Sequence, residues 1–262
     1  MPFVRALVFP ILLCLTFVAT ANACETVSLD LAGRGDTWTD DETGAIWHIG
    51  MLGATDRYAH GIMGGLRDAE ALVISSVFPG GMPCHIVRRL PPDEVIEDIA
   101  PRLADVTGDG VPEVVTVVAS RSGGARLVIL DLSLSLITHG PEIGRPFRWL
   151  AVAGIGDFDG DGQPDIAYVE TPHLGKTLKF WTLEGRRLVQ IGEQRGLTNH
   201  RIGDEFIASA VRRCNGQTQV VLADGDWQTI TAASLADGVV ALEEIGPYGG
   251  PESIETAAEW CP

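Results

Sequence analysis

Asp157-Phe-Asp-Gly-Asp-Gly-Gln-Pro-Asp165 is the stretch of sequence that decides the fold. Its nine residues carry carboxylates at positions 1, 3, 5 and 9 and glycines at positions 4 and 6. Crowding like charges into one turn is unfavourable unless a hard cation shares them, and Ca²⁺ takes roughly six to eight oxygen ligands. The pattern therefore predicts a Ca²⁺ loop whose ligands are Asp157, Asp159, Asp161, the backbone carbonyl of Gln163, and Asp165.

The residues after this loop exclude a helix-loop-helix calcium hand. Such a hand needs a bidentate glutamate at position 12, and Tyr168 stands there. The run Ile-Ala-Tyr-Val at 166–169 is typical of a β-strand, because β-branched and aromatic residues favour strands. The loop is thus expected to lie between two strands.

The pattern recurs once in good form, as Asp105-Val-Thr-Gly-Asp-Gly-Val-Pro-Glu113. A third copy at 211–219 keeps only Asn215 and Gly216, so we expect no metal there, and residues 61–70 show a still weaker trace. Similarity at a period of about 50 residues indicates stacked structural units, with propeller blades as the leading case.

The two loops and their surroundings, residues 103–113 and 154–165, resemble the FG-GAP/VCBS repeat proteins, a family of integrin-α-like β-propellers with secreted bacterial members. The resemblance implies that each loop is the hairpin between the two innermost strands of a blade, with Ca²⁺ bound on the lower face. Carried over by position, it repeats the ligand set given above for the first loop. In the second loop it implies a set at Asp105, Thr107, Asp109, Val111 and Glu113.

Short apolar runs separated by Gly, Pro, Asp and Asn predict an all-β fold. We expect a single domain at 24–262, a β-propeller of four-stranded antiparallel blades, with repeats at about 55–95, 97–140, 147–192 and 203–245. Five blades are favoured, the fifth being built from the two chain ends at 24–52 and 243–262, and four blades are the alternative. The predicted strands of the last three repeats lie at residues 99–103, 114–118, 125–130, 134–137, 149–153, 166–169, 177–182, 188–191, 206–210, 220–223, 227–232 and 239–242.

The first 23 residues have the features of a secretory signal peptide. Arg5 precedes an apolar stretch at 6–18, and Ala21-Asn-Ala23 forms a small-x-small cleavage site. No second apolar span follows, so we expect no membrane span and a protein exported to the periplasm or the medium.

Cleavage after Ala23 leaves four cysteines, at positions 24, 84, 214 and 261. An even number in an oxidising compartment predicts two disulfides. One pairing joins Cys214 to Cys261, which would tie down the C-terminus, and Cys24 to Cys84. The competing choice joins the chain ends through Cys24 and Cys261, and the sequence does not decide between them.

The net charge of −16 argues against nucleic acid as a partner, because nucleic-acid affinity depends on basic contacts with phosphates. Several His and Arg residues nevertheless fall in segments that would form the upper face of a propeller, opposite the metal loops. Such convergent polar groups suit a ligand with carboxylate, phosphate or hydroxyl groups. The candidates are Arg57, His60, Arg148, Trp149, His173, His200 and Arg201. The competing interpretation is that these side chains only tie blade to blade.

These features favour an exported, calcium-binding propeller that acts as a binding or interaction module for a protein, a carbohydrate or a small anion. The chain has no G-x-S-x-G elbow, H-E-x-x-H motif, P-loop or dinucleotide-binding glycine run. The alternative is a calcium-dependent hydrolase that acts on a phosphate ester or glycan at the propeller axis.

Overall fold

The computed structural model describes residues 34–261, and these residues form an almost entirely β structure. All strand pairs are antiparallel, within sheets of nine, four and five strands. The predicted all-β class is therefore confirmed.

The strands divide into four units, each made of consecutive strands that lie in one sheet. The first unit contains β1 (Asp36–Thr39), β2 (Ile46–Thr55), β3 (Asp68–Val77) and β4 (Cys84–Arg89). The second contains β5 (Glu94–Ile96), β6 (Arg102–Ala104), β7 (Glu113–Ser120), β8 (Gly124–Leu130) and β9 (Leu136–His139). The third contains β10 (Leu150–Gly156), β11 (Asp165–Glu170), β12 (Thr177–Glu184) and β13 (Arg187–Arg195). The fourth contains β14 (Leu197–Thr198), β15 (Ser209–Cys214), β16 (Gln217–Asp224), β17 (Thr229–Ala236) and β18 (Val239–Pro247). Each of the twelve strands predicted for the last three units overlaps one of these.

The strand that follows each Asp/Gly loop, β7 or β11, is deeply buried, and its composition explains why. All of β7 is buried, and so are the first five residues of β11. Both strands are rich in β-branched or aromatic residues that pack well on a pleated surface. Burial on both faces explains why these strands read as continuous apolar runs rather than alternating ones.

The first strand of the second and fourth units is interrupted. β5 and β6 pair with different parts of β7, and β14 and β15 pair with different parts of β16. The two interruptions carry polar residues into the interior, where Glu97, Asp98, Asn199 and His200 are all at most 3% exposed. The fold therefore places a buried polar cluster between its units.

Successive units contact one another, and the fourth also contacts the first. The N–H of Gly203 donates to the carbonyl oxygen of Ile62 at 2.8 Å, and Glu205 accepts a hydrogen bond from the N–H of Gly65 at 2.8 Å. β10 of the third unit packs against β8 on one side and β15 on the other. A propeller requires this cyclic pattern of contacts, and the propeller assignment stays our prediction.

The chain ends differ from the predicted fifth blade. β1 pairs with β2, and β2 pairs with β3, so these strands complete the first unit, which runs from 36 to 89 rather than from 55 to 95. The other half of the predicted blade is α1 (Pro251–Glu259), a helix. The internal repeats did not reveal these two strands, because the turn between β1 and β2 lacks the Asp/Gly pattern of the two predicted loops. Within residues 34–261 the strands thus form four units and no fifth.

The C-terminal helix is held by a disulfide and a buried arginine. Cys214 is bonded to Cys261, with a Cα–Cα distance of 5.4 Å. Arg212 is 4% exposed and donates to the carbonyl oxygens of Ala257 and Trp260 at 3.1 and 2.7 Å. These contacts satisfy carbonyl groups that a helix end otherwise leaves without partners.

Residues 1–23 and Cys24 lie outside the described residues, so the signal peptide and the Cys24–Cys84 bond stay predictions. Within the described part, α1 is the one helix, and at nine residues it is too short to cross a bilayer.

Candidate functional site

The loop at 157–165 joins β10 to β11 and owes its shape to local turn chemistry. Gly160 and Gly162 have φ angles of 83° and 90°, which glycine adopts without a steric penalty. The carboxylate of Asp157 accepts hydrogen bonds from the N–H groups of these glycines at 2.8 and 3.2 Å.

Three carboxylates of this loop converge. Asp157, Asp159 and Asp165 each place one oxygen within 4.8 Å of the others, the only such group of three metal-ligating residues in the described chain. This acidic cluster can therefore hold a metal ion.

Asp165 is the deepest member of the cluster. It is 0% exposed, and its Oδ2 accepts hydrogen bonds from the N–H groups of Phe158 and Asp159 at 3.0 and 3.4 Å. Its Oδ1 is also buried and forms no hydrogen bond of good geometry, although the Thr182 hydroxyl lies close enough to lower the pKa of Asp165. Burial raises the pKa of Asp165 to about 6, and the negative charge of Asp159 adds to this rise. An orphaned, buried carboxylate oxygen beside two further carboxylates fits a cation.

Asp161 does not join the group of three, and the Gln163 carbonyl stays a predicted ligand. Asp161 is exposed, and its Oδ1 accepts a hydrogen bond from the N–H of Gln163 at 2.7 Å. The side chain of Gln163 reaches the neighbouring loop, where a Cβ on Gly108 would lie 2.5 Å from the Gln163 Oε1. The two predicted calcium loops are therefore adjacent.

The 105–113 loop repeats the turn. Asp105 accepts hydrogen bonds from the N–H groups of Gly108, Asp109 and Gly110 at 2.7–3.1 Å. Asp109 accepts one from the N–H of Val111, whose side chain is 46% exposed.

This second loop differs at the buried acid. Oε2 of Glu113 accepts hydrogen bonds from the N–H groups of Val106 and Thr107 at 3.0 and 3.1 Å, and Oε1 accepts one from the Thr107 hydroxyl at 3.3 Å. Both oxygens of Glu113 are satisfied within the protein, whereas Asp165 lacks a partner for one. The loops differ at position 3, which holds Thr107 or Asp159, and at the buried acid, where Asp165 is one methylene shorter than Glu113.

The eroded copy in the fourth unit has become a short hairpin turn. Cys214 pairs with Gln217, and the two residues between them are Asn215 and Gly216, with φ angles of 50° and 82°. Asn-Gly is a favoured two-residue hairpin connection. No ligand set remains in this turn.

A pocket of about 170 Å³ lies at the opposite end of β10. It is lined by four of the predicted ligand-binding residues, His60, Arg148, Trp149 and His173. Trp149 immediately precedes β10, and the metal loop immediately follows that strand. At about 3.3 Å per residue, the strand separates the two sites by roughly 20 Å.

His60 lies at the edge of the buried polar cluster. Its Nδ1 is 2.5 Å from Oε1 of Glu97, which is 0% exposed and whose Oε2 has no hydrogen-bond partner. Burial, reinforced by the charges of Asp68 and Asp98, raises the pKa of Glu97 well above its usual range. The pKa of His60 is lowered, chiefly by burial. The indole N–H of Trp149 donates to the Glu97 carbonyl oxygen at 2.6 Å, which fixes the pocket wall to this pair.

His173 and His200 form a second hydrogen-bonded pair, next to the pair of His60 and Glu97. Nε2 of His173 is 2.8 Å from Nδ1 of His200, and Nε2 of His200 is 3.0 Å from the carbonyl oxygen of Asp204. Because that oxygen only accepts, His200 carries its proton on Nε2 and accepts from His173. Burial lowers the pKa of His173 to about 4, and the neighbouring His200 and His60 contribute to the shift. Burial also lowers the pKa of His200, so both rings are neutral at pH 7.

Three predicted candidates lie outside the pocket wall. Arg57 donates to the carbonyl oxygen of Glu94 at 2.5 Å. The guanidinium of Arg201 lies over the ring of Trp227, 4.4 Å from its centroid. His200 is buried behind His173. Arg57 thus ties the first unit to the second, whereas Arg201 contacts a ring of its own unit.

The sequence did not single out the apolar part of this pocket. Phe147, Leu174 and Ile202 line it although they are 46%, 64% and 68% exposed. Phe147 and Thr171, both in the lining, have φ angles of 55° and 48°. Non-glycine residues in this region are strained and cluster at functional sites. Exposure and backbone angles are products of the fold, so no local pattern pointed to them.

Residues 105–168 match the FG-GAP-like repeat family model. This segment holds both Asp/Gly loops, so the resemblance to FG-GAP repeats is confirmed over this range. No curated protein matches the chain.

Two solved structures are similar in fold. The exotype rhamnogalacturonan lyase YesX matches with 11% identity and a TM-score of 0.46 over 82% of this chain and 48% of that one. Bacillus licheniformis rhamnogalacturonan lyase PL11 matches with 13% identity and a TM-score of 0.38 over 91% of this chain and 55% of that one. The chain thus spans about half the length of either structure, and its function has to be argued from its own residues.

Proposed function

We propose that this chain is an exported, calcium-binding β-propeller that acts as a binding module. The observation that carries the calcium part is the buried, unpartnered Oδ1 of Asp165 beside Asp157 and Asp159. Leaving such an oxygen without a partner costs about 1–3 kcal/mol or more. Ca²⁺ bound by these three residues would remove that cost and neutralise the repulsion among them. Asp161 and the Gln163 carbonyl are the nearest groups to complete its oxygen shell.

The ion would act as a brace. Its ligands lie on the connection between β10 and β11, the two strands that carry the third unit's core. Fixing this connection would hold Trp149 and the pocket at the other end of β10 in place.

The separation of the two sites supports binding over the alternative, a calcium-dependent hydrolase at the axis. Metal-assisted hydrolysis needs the cation at the reacting group. Here the acidic cluster and the pocket lie at opposite ends of β10, and residues 34–261 hold no second acidic group of that kind near the pocket. Export is supported by the Cys214–Cys261 bond, since disulfides persist in oxidising compartments.

Calorimetry with CaCl₂ tests the calcium proposal. We expect one site per chain in the native protein and in the control Asp41→Asn, whose carboxylate is exposed in the β1–β2 turn. Asp165→Asn should bind no Ca²⁺ and should show no calcium-induced rise in melting temperature. Native protein that neither binds Ca²⁺ nor melts higher with it would refute the proposal.

A further inference from the structure

The pocket at the head of β10 combines a cation without a carboxylate partner with apolar and aromatic walls. Nη1 of Arg148 donates to its neighbour, the Phe147 carbonyl, at 2.8 Å, and no ion pair is formed by this arginine within residues 34–261. In a chain with 35 acidic and 19 basic residues, an arginine left without a carboxylate is available to a ligand anion.

His60 adds a second hydrogen-bonding group to the same wall. Burial raises the pKa of Glu97 well above its usual range and so favours its neutral carboxyl form, and its Oε2 has no partner. A buried hydroxyl needs an acceptor, so the carboxyl proton is better placed on Oε1, where it meets Nδ1 of His60 at 2.5 Å. The ring proton of neutral His60 then lies on Nε2, which becomes a donor. The pocket therefore offers donors and a positive charge, which suits a carboxylate.

The remaining walls favour an apolar, planar body. Phe147 and Trp149 contribute aromatic rings, and the His173 imidazole stacks on Trp149 at a centroid distance of 6.3 Å. Leu174 and Ile202 stay exposed at the rim and add apolar surface to it. A dry cavity of about 150 Å³ can hold benzene, and this pocket has a volume of about 170 Å³.

We propose that this pocket binds a small aromatic carboxylate, with the carboxylate on Arg148 and His60 and the ring against Phe147 and Trp149. The ligand bridges the first and third units, since His60 precedes β3 and Arg148 precedes β10. The inference deepens the proposed binding role and rests on that role, but it does not depend on Ca²⁺.

Calorimetry with sodium benzoate, and with benzyl alcohol as the neutral counterpart, tests this assignment. Native protein should bind benzoate, and Arg148→Gln should weaken benzoate binding about 10- to 100-fold. This factor corresponds to the usual free energy of a hydrogen bond to a charged group. Benzyl alcohol should be affected little. Arg187→Gln is the matched control, because Arg187 is 75% exposed on β13 and pairs with Glu184.

Arg148→Lys separates recognition from folding. It keeps the charge and should recover part of the benzoate affinity, while far-ultraviolet circular dichroism checks that each variant is folded. Native protein that binds neither benzoate nor benzyl alcohol at millimolar concentration would overturn the assignment. So would equal benzoate affinities in Arg148→Gln and Arg187→Gln.

The same titrations separate this inference from the calcium proposal. Asp165→Asn should keep its benzoate affinity at temperatures where it is folded, and Arg148→Gln should keep its Ca²⁺ site. Native protein that binds Ca²⁺ but not benzoate would refute only the pocket assignment. Native protein that binds benzoate but not Ca²⁺ would refute only the metal.

Discussion

Replacing Asp159 by threonine should convert one loop into the other. In the 105–113 loop the Thr107 hydroxyl satisfies the second oxygen of the buried acid, Glu113. Asp159 occupies the equivalent position beside Asp165, whose Oδ1 is orphaned. Asp159→Thr would place a hydroxyl where that oxygen can accept from it, and would remove one carboxylate from the predicted metal site.

Two opposite changes in stability follow. In chelator, the new hydrogen bond should add about 1 kcal/mol. The bond from the N–H of Asp161 to Oδ1 of Asp159 at 3.1 Å is lost, but in the other loop the equivalent N–H bonds Asp105 instead. With Ca²⁺ at about 100 times its dissociation constant, the native protein should gain roughly 2.7 kcal/mol that the variant lacks.

Melting curves with and without Ca²⁺ measure both changes. For a domain of this size, 1 kcal/mol shifts the melting temperature by about 2–4 °C. Asp159→Thr should thus melt about 2–4 °C above the native protein in chelator and below it with saturating Ca²⁺. The order of the two proteins is expected to reverse, and Asp41→Thr should follow the native protein in both buffers.

A variant that is less stable than the native protein in both buffers would refute this reasoning, because the hydroxyl would then not replace the ion. Undiminished Ca²⁺ affinity in the variant would contradict the role of Asp159 as a ligand.

Three further perturbations have defined outcomes. Cys261→Ser opens a disulfide that closes a separation of 47 residues and should lower stability in urea unfolding by about 2–4 kcal/mol. The pKa of His173 is lowered to about 4 in the folded protein, so the unfolded chain binds more protons between pH 4 and the usual value of about 6.5. Stability measured by urea unfolding should therefore be full above pH 6.5 and fall as the pH drops to 4, by about 1–2 kcal/mol after allowance for solvent screening. Gly154→Ala would place a Cβ 2.2 Å from Cγ2 of Val211 and should cost about 1–3 kcal/mol in thermal unfolding.

Each of these has its own control. Reducing agent should destabilise the native protein and remove most of the stability difference between it and the Cys261→Ser variant. His173→Gln should flatten the acid slope, and an unchanged slope would assign it to other groups. The double variant Gly154→Ala, Val211→Ala should recover most of the loss, and no recovery would show that the clash is not its cause.

Local chemistry explains what could be predicted from the sequence. The turn at 157–165 follows from Asp and Gly residues whose preferences act within five positions, as the hydrogen bonds of Asp157 show. The strands of the last three units follow from apolar runs between such turns. The first unit has turns rich in Asp and Gly, such as 40–44, but not the pattern of the two loops, so its start at Asp36 and the helix at Pro251–Glu259 were not predicted.

Contacts between distant residues explain what could not. His60 and Glu97 meet at 2.5 Å although 37 positions separate them. The exposed rim of Leu174 and Ile202 depends on how the third and fourth units meet. We could predict candidates at His60, Arg148 and His173 because their loops were expected to converge on one face. Their protonation and their partners depend on burial, which only the folded chain defines.

The two loops also show why a missing ligand need not mean a failed site. From the sequence, Thr107 is a carboxylate lost from a metal set. In the fold, the requirement common to both loops is that a buried acid, Glu113 or Asp165, satisfies two oxygens in a place that water does not reach. Main-chain N–H groups satisfy one oxygen in each loop. A hydroxyl meets the remaining need in one loop, and in the other we expect the carboxylate of Asp159 to meet it through a shared cation.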